Sequence, residues 1–131
     1  MINSIGKAMS AASHGMTAQA FRLRVVSENL SNADTHGYQR KLLTFSNAFD
    51  RVSGIEGVKV DDVTLDQTQG EVRFEPTHPL ADDQGYVTLS NVNVMIEIAD
   101  AQEASRSYEA NLTTFRQATQ MYSSLLDLLR R

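Results

Sequence analysis

The chain has 131 residues, about one domain's worth, and its 41% hydrophobic and 21% charged residues with 7 Gly and 2 Pro are an ordinary globular balance. It has no Cys, which excludes disulfides, thiolate metal sites and thiol catalysis. A net charge of −4 argues against bulk nucleic-acid binding, and no apolar run approaches the ~20 residues of a membrane span.

From Ile2 to Leu30 the apolar residues follow a seven-residue repeat. Ile2, Met9, Met16, Leu23 and Leu30 form one series, Ile5, Ala12 and Val26 lie three residues after it, and Gln19 interrupts it. This is the narrow seam of a coiled-coil helix. Polar residues every few positions leave no continuous apolar core of the kind a cleavable export signal needs, so none is expected. Gly6 and Gly15 each cost about 1 kcal/mol relative to Ala, so partners are expected to complete this helix.

The stretch from Asn29 to Arg40 reads as a stop signal. Asn32 is expected to take the left-handed C-cap conformation, Thr35 to bond nearby backbone, Gly37 to supply a positive φ, and Tyr38 to anchor the returning chain. Residues 33–90 then hold Gly37, Gly54, Gly57, Gly70, Gly85, Pro76 and Pro79, a loop and strand composition. Short strands are expected at Val58–Leu65, with a change of face between Val60 and Val63, at Glu71–Phe74 and at Tyr86–Leu89. This segment carries 5 basic against 10 acidic residues and holds most of the chain's acidity.

A second long helix is expected from about Val94 to near the C-terminus, N-capped by Asn93, with Glu97 and Asp100 near its positive end and Arg130 and Arg131 at the other. Its apolar series are Val94, Ala101, Tyr108, Phe115, Tyr122 and Leu129, and, four residues later, Ile98, Ser105, Leu112, Thr119 and Leu126. The expected fold is mainly α with a small β insert. Residues 1–32 and 91–131 form one helical core, packed as a coiled-coil-like hairpin, and residues 33–90 form the turn and insert. Two narrow seams leave apolar edge exposed in a monomer, so packing against copies or relatives is expected to finish the core.

Catalysis finds no foothold. His14, His36 and His78 show no metal-ligand spacing, and a site would require the fold to gather His78 with Asp82 and Asp83. Asp61, Asp62 and Asp66 lack the spacing of a calcium loop. Tyr108, Phe115 and Tyr122, seven residues apart, read as core or interface and not as a stacking stripe. No catalytic, cofactor-binding or metal residue is assigned.

The segment N-L-S-N-A-D-T-H-G-Y-Q-R at 29–40 resembles the N-terminal signature of the bacterial flagellar rod and hook axial proteins. A second stretch, P-T-H-P-L-A-D-D-Q-G-Y-V-T-L-S-N-V-N-V followed by A-S-R-S-Y-E-A-N, is similar to that of the family's proximal-rod members. The resemblance spans essentially the whole chain. It implies a structural, non-enzymatic subunit of the proximal rod, exported through the flagellar type III apparatus without a cleavable signal and assembled in the periplasm between the membrane ring and the distal rod. Its partners would be copies of itself and other rod proteins, with no nucleic acid and no direct membrane insertion. Signature positions carried over are Asn29, Asn32, Thr35, Gly37, Tyr38 and Arg40 at the exit of the first helix, Pro79, Gly85, Tyr86, Asn91 and Asn93 at the entry to the second, and Arg106, Tyr108 and Asn111 as contacts within or between subunits. The alternatives are another axial rod or hook subunit, or a helical secretion adaptor or chaperone. The adaptor would form a discrete cytoplasmic dimer with its cargo instead of joining an extracytoplasmic assembly.

Overall fold

A computed structural model describes residues 2–51 and 54–131. The order of elements is α1 (Ile2–Ser31), β1 (Lys41–Asp50), β2 (Ile55–Leu65), β3 (Val72–Phe74), β4 (Tyr86–Thr88) and α2 (Val94–Leu129). The two helices pack on each other, and the hairpin of β1 and β2 leans on α1 mainly through β2. At 30 and 36 residues they reach about 45 and 54 Å.

α2 starts as its sequence dictates. The Asn93 side chain accepts from the main-chain N–H of Met95 and Ile96, satisfying two of the donors left free at a helix start. α1 ends differently from the expectation. Among the described residues no non-glycine has a positive φ, so Asn32 is not a left-handed cap. Its N–H instead donates to the Glu28 and Asn29 carbonyls at 3.2 Å, and its Nδ2 donates to Glu28 O at 2.9 Å. The positive φ falls on Gly37 (74°), five residues later.

The strand expected at Val58–Leu65 is longer and has an unexpected partner, while those expected at Glu71–Phe74 and Tyr86–Leu89 are each one residue shorter. β1 carries no alternation clear enough to be read as a strand, yet it pairs antiparallel with β2 along its whole length, from Lys41 with Leu65 to Asp50 with Ile55. The register slips between Thr44, opposite Asp62, and Phe45, opposite Val60, which leaves Asp61 as the extra residue of a bulge. That bulge is the physical origin of the face change between Val60 and Val63. β3 and β4 form a separate small hairpin, Val72 with Thr88 to Phe74 with Tyr86.

The buried core is small. Among the described residues it comprises Ile5, Ala12, Ala18, Val25, Val26, Val87, Ala104 and Ala118, half of them Ala. The accessible surface is 9093 Å² for 14.5 kDa. A compact monomer of that mass would expose about 6,900 Å². The excess goes with a long two-helix hairpin that leaves many large apolar side chains exposed.

The seam between the helices is a correction to the sequence pattern. Of the expected seam residues of α1, Ile5, Ala12 and Val26 bury, while Met9, Met16, Leu23 and Leu30 are half-buried and Ile2 stays exposed. On α2 the buried line is Glu97, Ala104 and Ala118, with Asn111 and Leu125 half-buried at the same seven-residue spacing. This line lies three residues after Val94, Ala101 and Tyr108, not four. A shift of one position turns the face by about 100°, so Ile98, Tyr122, Leu126 and Leu129 point out of the intrachain seam, and Leu112 and Phe115 are half-buried beside it.

Small side chains decide this choice, because they let the helix backbones approach closely. A Cβ at Gly15 would lie 2.6 Å from Asn111 Nδ2, so the two helices already touch there. Gly15→Val is expected to destabilise the isolated subunit by about 2–3 kcal/mol through overpacking, despite the gain in helix propensity. Urea unfolding checks this, and an unchanged midpoint would show that the helices do not cross there.

A buried clamp and an exposed apolar face

The signature at the exit of α1 folds around Asn29, which is 1% exposed. All four of its hydrogen-bonding positions are used. Nδ2 donates to the Lys41 carbonyl at 3.0 Å and to Glu97 Oε2 at 3.3 Å. Oδ1 accepts from the Tyr38 hydroxyl at 2.8 Å and from the Lys41 N–H at 2.9 Å. One amide thus ties the end of α1, the turn, the start of β1 and the start of α2. Burial pushes the Tyr38 phenol up, and the Glu28 and Glu97 carboxylates add to this against the opposing Lys41 ammonium, so the hydroxyl stays a donor.

Arg40 completes the clamp. Its Nε donates to Glu97 Oε1 and its Nη2 to Asp100 Oδ2 at 3.0 Å, while Arg22 from α1 reaches Asp100 Oδ1 at 3.4 Å. Glu97 is fully buried, and among the described residues Arg40 balances its charge while the Asn29 amide donates a hydrogen bond to it. Lys41 pairs with Glu28, and that hydrogen bond holds its ammonium above the usual range.

Asn91 locks the other side of the turn. Its Oδ1 accepts from the Arg40 N–H at 2.6 Å, and its Nδ2 donates to the carbonyls of Asp66 at 2.9 Å and Thr68 at 2.8 Å. Hydrogen bonds from Thr68 hold the Asp66 carboxyl below its usual range. A lowered folded pKa stabilises the fold above the unfolded value of 3.8 and is lost as pH falls through the folded one. Asp66→Asn, which keeps the cap oxygen but cannot titrate, is therefore expected to lose stability less steeply below about pH 3.8. Acid-unfolding curves that superimpose for the two proteins would show that this turn does not couple to folding.

The other signature positions are spread more widely. Thr35 donates from Oγ1 to Asn32 Oδ1 at 3.1 Å, and the Gly37 N–H donates to Thr88 O at 3.0 Å. Gly85 has φ 84°, Tyr86 packs edge-on to Phe74 with ring centres 5.2 Å apart, and Pro79 lies exposed in the loop before it. Asn93 is the cap already described. Asn111 abuts Gly15 and donates to Ser107 O at 3.0 Å, Tyr108 is half-buried, and Arg106 is exposed beside Leu30, Ile98 and Ala101.

Of the residues weighed for chemistry, Asp82 does not join His78. Its Oδ1 accepts from the N–H of Gln84 and Tyr86, both at 2.9 Å, and caps the turn into β4. His78 stacks instead on His36. Glu97 and Asp100 were legible only as helix-start acids. The clue to more was an acid placed seven residues before Ala104, on the small-residue line, with Arg40 in the signature available to balance it.

The second element of the site is the face that α2 turns away from α1. Met95 (75% exposed), Ile98, Leu126 and Leu129 (72% exposed) run along it with Val94 and Tyr122, while Met121 and Leu128 are exposed on the opposite flank of the intrachain line. Ile5, Met121, Leu125 and Leu128 line a shallow groove near the free end of the hairpin. No helix among the described residues is long and apolar enough to cross a membrane, and the apolar residues of α2 are a surface stripe, not a continuous span.

A long two-helix hairpin clamped at one end, with an outward apolar stripe, is an assembly subunit in form. Two family models match the chain: the flagella basal body rod protein family over residues 9–39, and the C-terminal region of the flagellar basal body rod FlgEFG proteins over residues 83–128. Flagellar basal-body rod protein FlgC of Agrobacterium fabrum is 43% identical, with 98% of each chain covered. The protein of that name from Escherichia coli O157:H7 is 37% identical over 89% of this chain and 92% of its own. The one from Bacillus subtilis is 31% identical over 92% and 95%. The chain belongs to the FlgC family of flagellar basal-body rod proteins. It is a structural, non-enzymatic component of the basal-body rod and assembles with other basal-body components.

Proposed function

We propose that this chain is a proximal-rod subunit, joining the membrane ring to the distal rod and carrying torque between them. Its two helices act as one core unit, residues 1–32 with 91–131, and residues 33–90 form the insert. The observation that carries this is the exposed apolar stripe on a helix of 36 residues. Heterologous contacts along such a stripe build a helical shaft where they do not close into a ring. Long helices packed on several neighbours resist twisting, and the Asn29–Arg40–Glu97 clamp fixes how the insert meets them. The occupants of the stripe are copies of this chain and other rod proteins, reached in the periplasm after type III export without a cleavable signal.

Deleting the protein in its host is expected to abolish motility and to leave basal bodies with the membrane ring and no rod beyond it. Rods of normal length with normal swimming would refute a proximal-rod role. A discrete cytoplasmic complex with a secreted cargo would favour the adaptor.

A further inference from the structure

Among the described residues, one group of ligand-bearing side chains lies close enough to share an ion: His36, Glu75 and His78, whose donor atoms are all within 4.8 Å of one another. They come from two loops. His36 is in the turn after α1, while Glu75 and His78 follow β3. The Gly37 N–H donates to Thr88 O of β4 at 3.0 Å and ties the first loop to the β3–β4 hairpin, while bonds from Glu75 N–H to Gly85 O at 2.9 Å and from His78 N–H to Glu75 O at 3.0 Å shape the second.

The side chains are half-buried and incompletely satisfied. The His36 and His78 rings stack with centroids 4.3 Å apart. His36 Nε2 is buried and has no hydrogen-bond partner; it lies 3.5 Å from Glu75 Oε2, too long for a good hydrogen bond. Glu75 Oε1 faces Arg73 Nη1 at 3.8 Å, an outer partner that leaves Oε2 directed at the histidines.

We propose that His36, Glu75 and His78 bind a divalent transition-metal ion of the zinc type. Two imidazoles and one carboxylate are a donor set that zinc takes at about 2.0–2.2 Å, with a fourth position left for water. Ligands so placed lie about 3.4 Å apart, so the donors must close by an ångström or so and the stacked rings must swing apart. His78 Nδ1 accepts from the Leu80 N–H at 3.0 Å. Binding through Nδ1 displaces that donor, and binding through Nε2 moves the ring proton to Nδ1 and gives up the same bond. The ion therefore binds with moderate affinity and staples the exit of α1 to the β3–β4 loop. The sequence hides the site because 39 and 42 residues separate His36 from its partners.

Titrating the full chain with zinc chloride by calorimetry, and with cobalt chloride by visible absorption, tests this. The expected result is one zinc per chain, the cobalt spectrum of a four-coordinate site, and affinity reduced about tenfold or more in each of His36→Gln, His78→Gln and Glu75→Gln. Zinc should raise the melting temperature of the wild type and not of the double His36→Gln/His78→Gln variant. Circular dichroism matching the wild type without zinc keeps these variants informative. Absence of zinc uptake, uptake equal in the double variant, or loss of uptake in His14→Ala alone would each overturn the proposal.

Discussion

Replacing Glu97 with Ala is expected to lower the unfolding free energy of the isolated subunit by about 3 kcal/mol. Glu97 is fully buried and accepts from both Arg40 Nε and Asn29 Nδ2. Its removal strands two donors in a place with little water, and breaking one side of a buried ion pair typically costs about 3–5 kcal/mol. The expected loss sits at the low end because the Arg40 side chain is 19% exposed and keeps Asp100 as a second partner. Against a typical stability of about 5–15 kcal/mol, such a loss leaves a marginal fold. Glu97→Leu combined with Arg40→Met should recover most of it, since an apolar pair of similar volume replaces a charge pair at little cost. Urea unfolding followed by helical circular dichroism measures both. A loss below about 1 kcal/mol for Glu97→Ala would mean that the clamp does not hold the hairpin.

The second large effect falls on assembly and not on stability. Met121 and Leu128 are 56% and 64% exposed and line the groove at the free end of the hairpin. Met121→Asp/Leu128→Asp is expected to change subunit stability by no more than about 0.5 kcal/mol per site, as for surface positions generally. In cells the same double variant should give non-motile bacteria without rods, because a neighbour covering this groove would have to bury two unpaired carboxylates. Normal swimming would show that no neighbour packs there. A grossly unstable subunit would show that the groove belongs to the intrachain core.

The two effects separate along lines that were partly legible in the sequence. Two terminal helices with an acidic β insert follow from seven-residue spacing at both ends and glycines in the middle, and the Asn93 cap and the Gly37 turn follow from residue chemistry alone. The face of α2 did not follow. Hydrophobic size singles out Ile98, Leu112 and Leu126, whereas the chain pairs its own helices along Glu97, Ala104, Asn111 and Ala118. A polymer subunit carries two such faces: close backbone approach rewards small residues inside the chain, and the larger residues remain for neighbours. Periodicity sees the sum of both. β1 was hidden for a related reason, since it pairs only with β2 and its residues 41–49 are at most half-buried. The clamp was half-visible: Asn29, Tyr38 and Arg40 stood in the signature, but only the folded chain brings Glu97 beside them.

The central claim is that the chain folds on its small-residue line and assembles on its apolar one. Because the chain has no Cys, single cysteines report on one position each. Maleimide labelling of Ala118→Cys, Met121→Cys and Leu128→Cys, in the free subunit and in purified basal bodies, is the most direct test. The account predicts that position 118 is protected in both states, whereas positions 121 and 128 react in the free subunit and are protected in the rod. Equal reactivity of 121 and 128 in the two states, or a reactive position 118 in the free subunit, would contradict it.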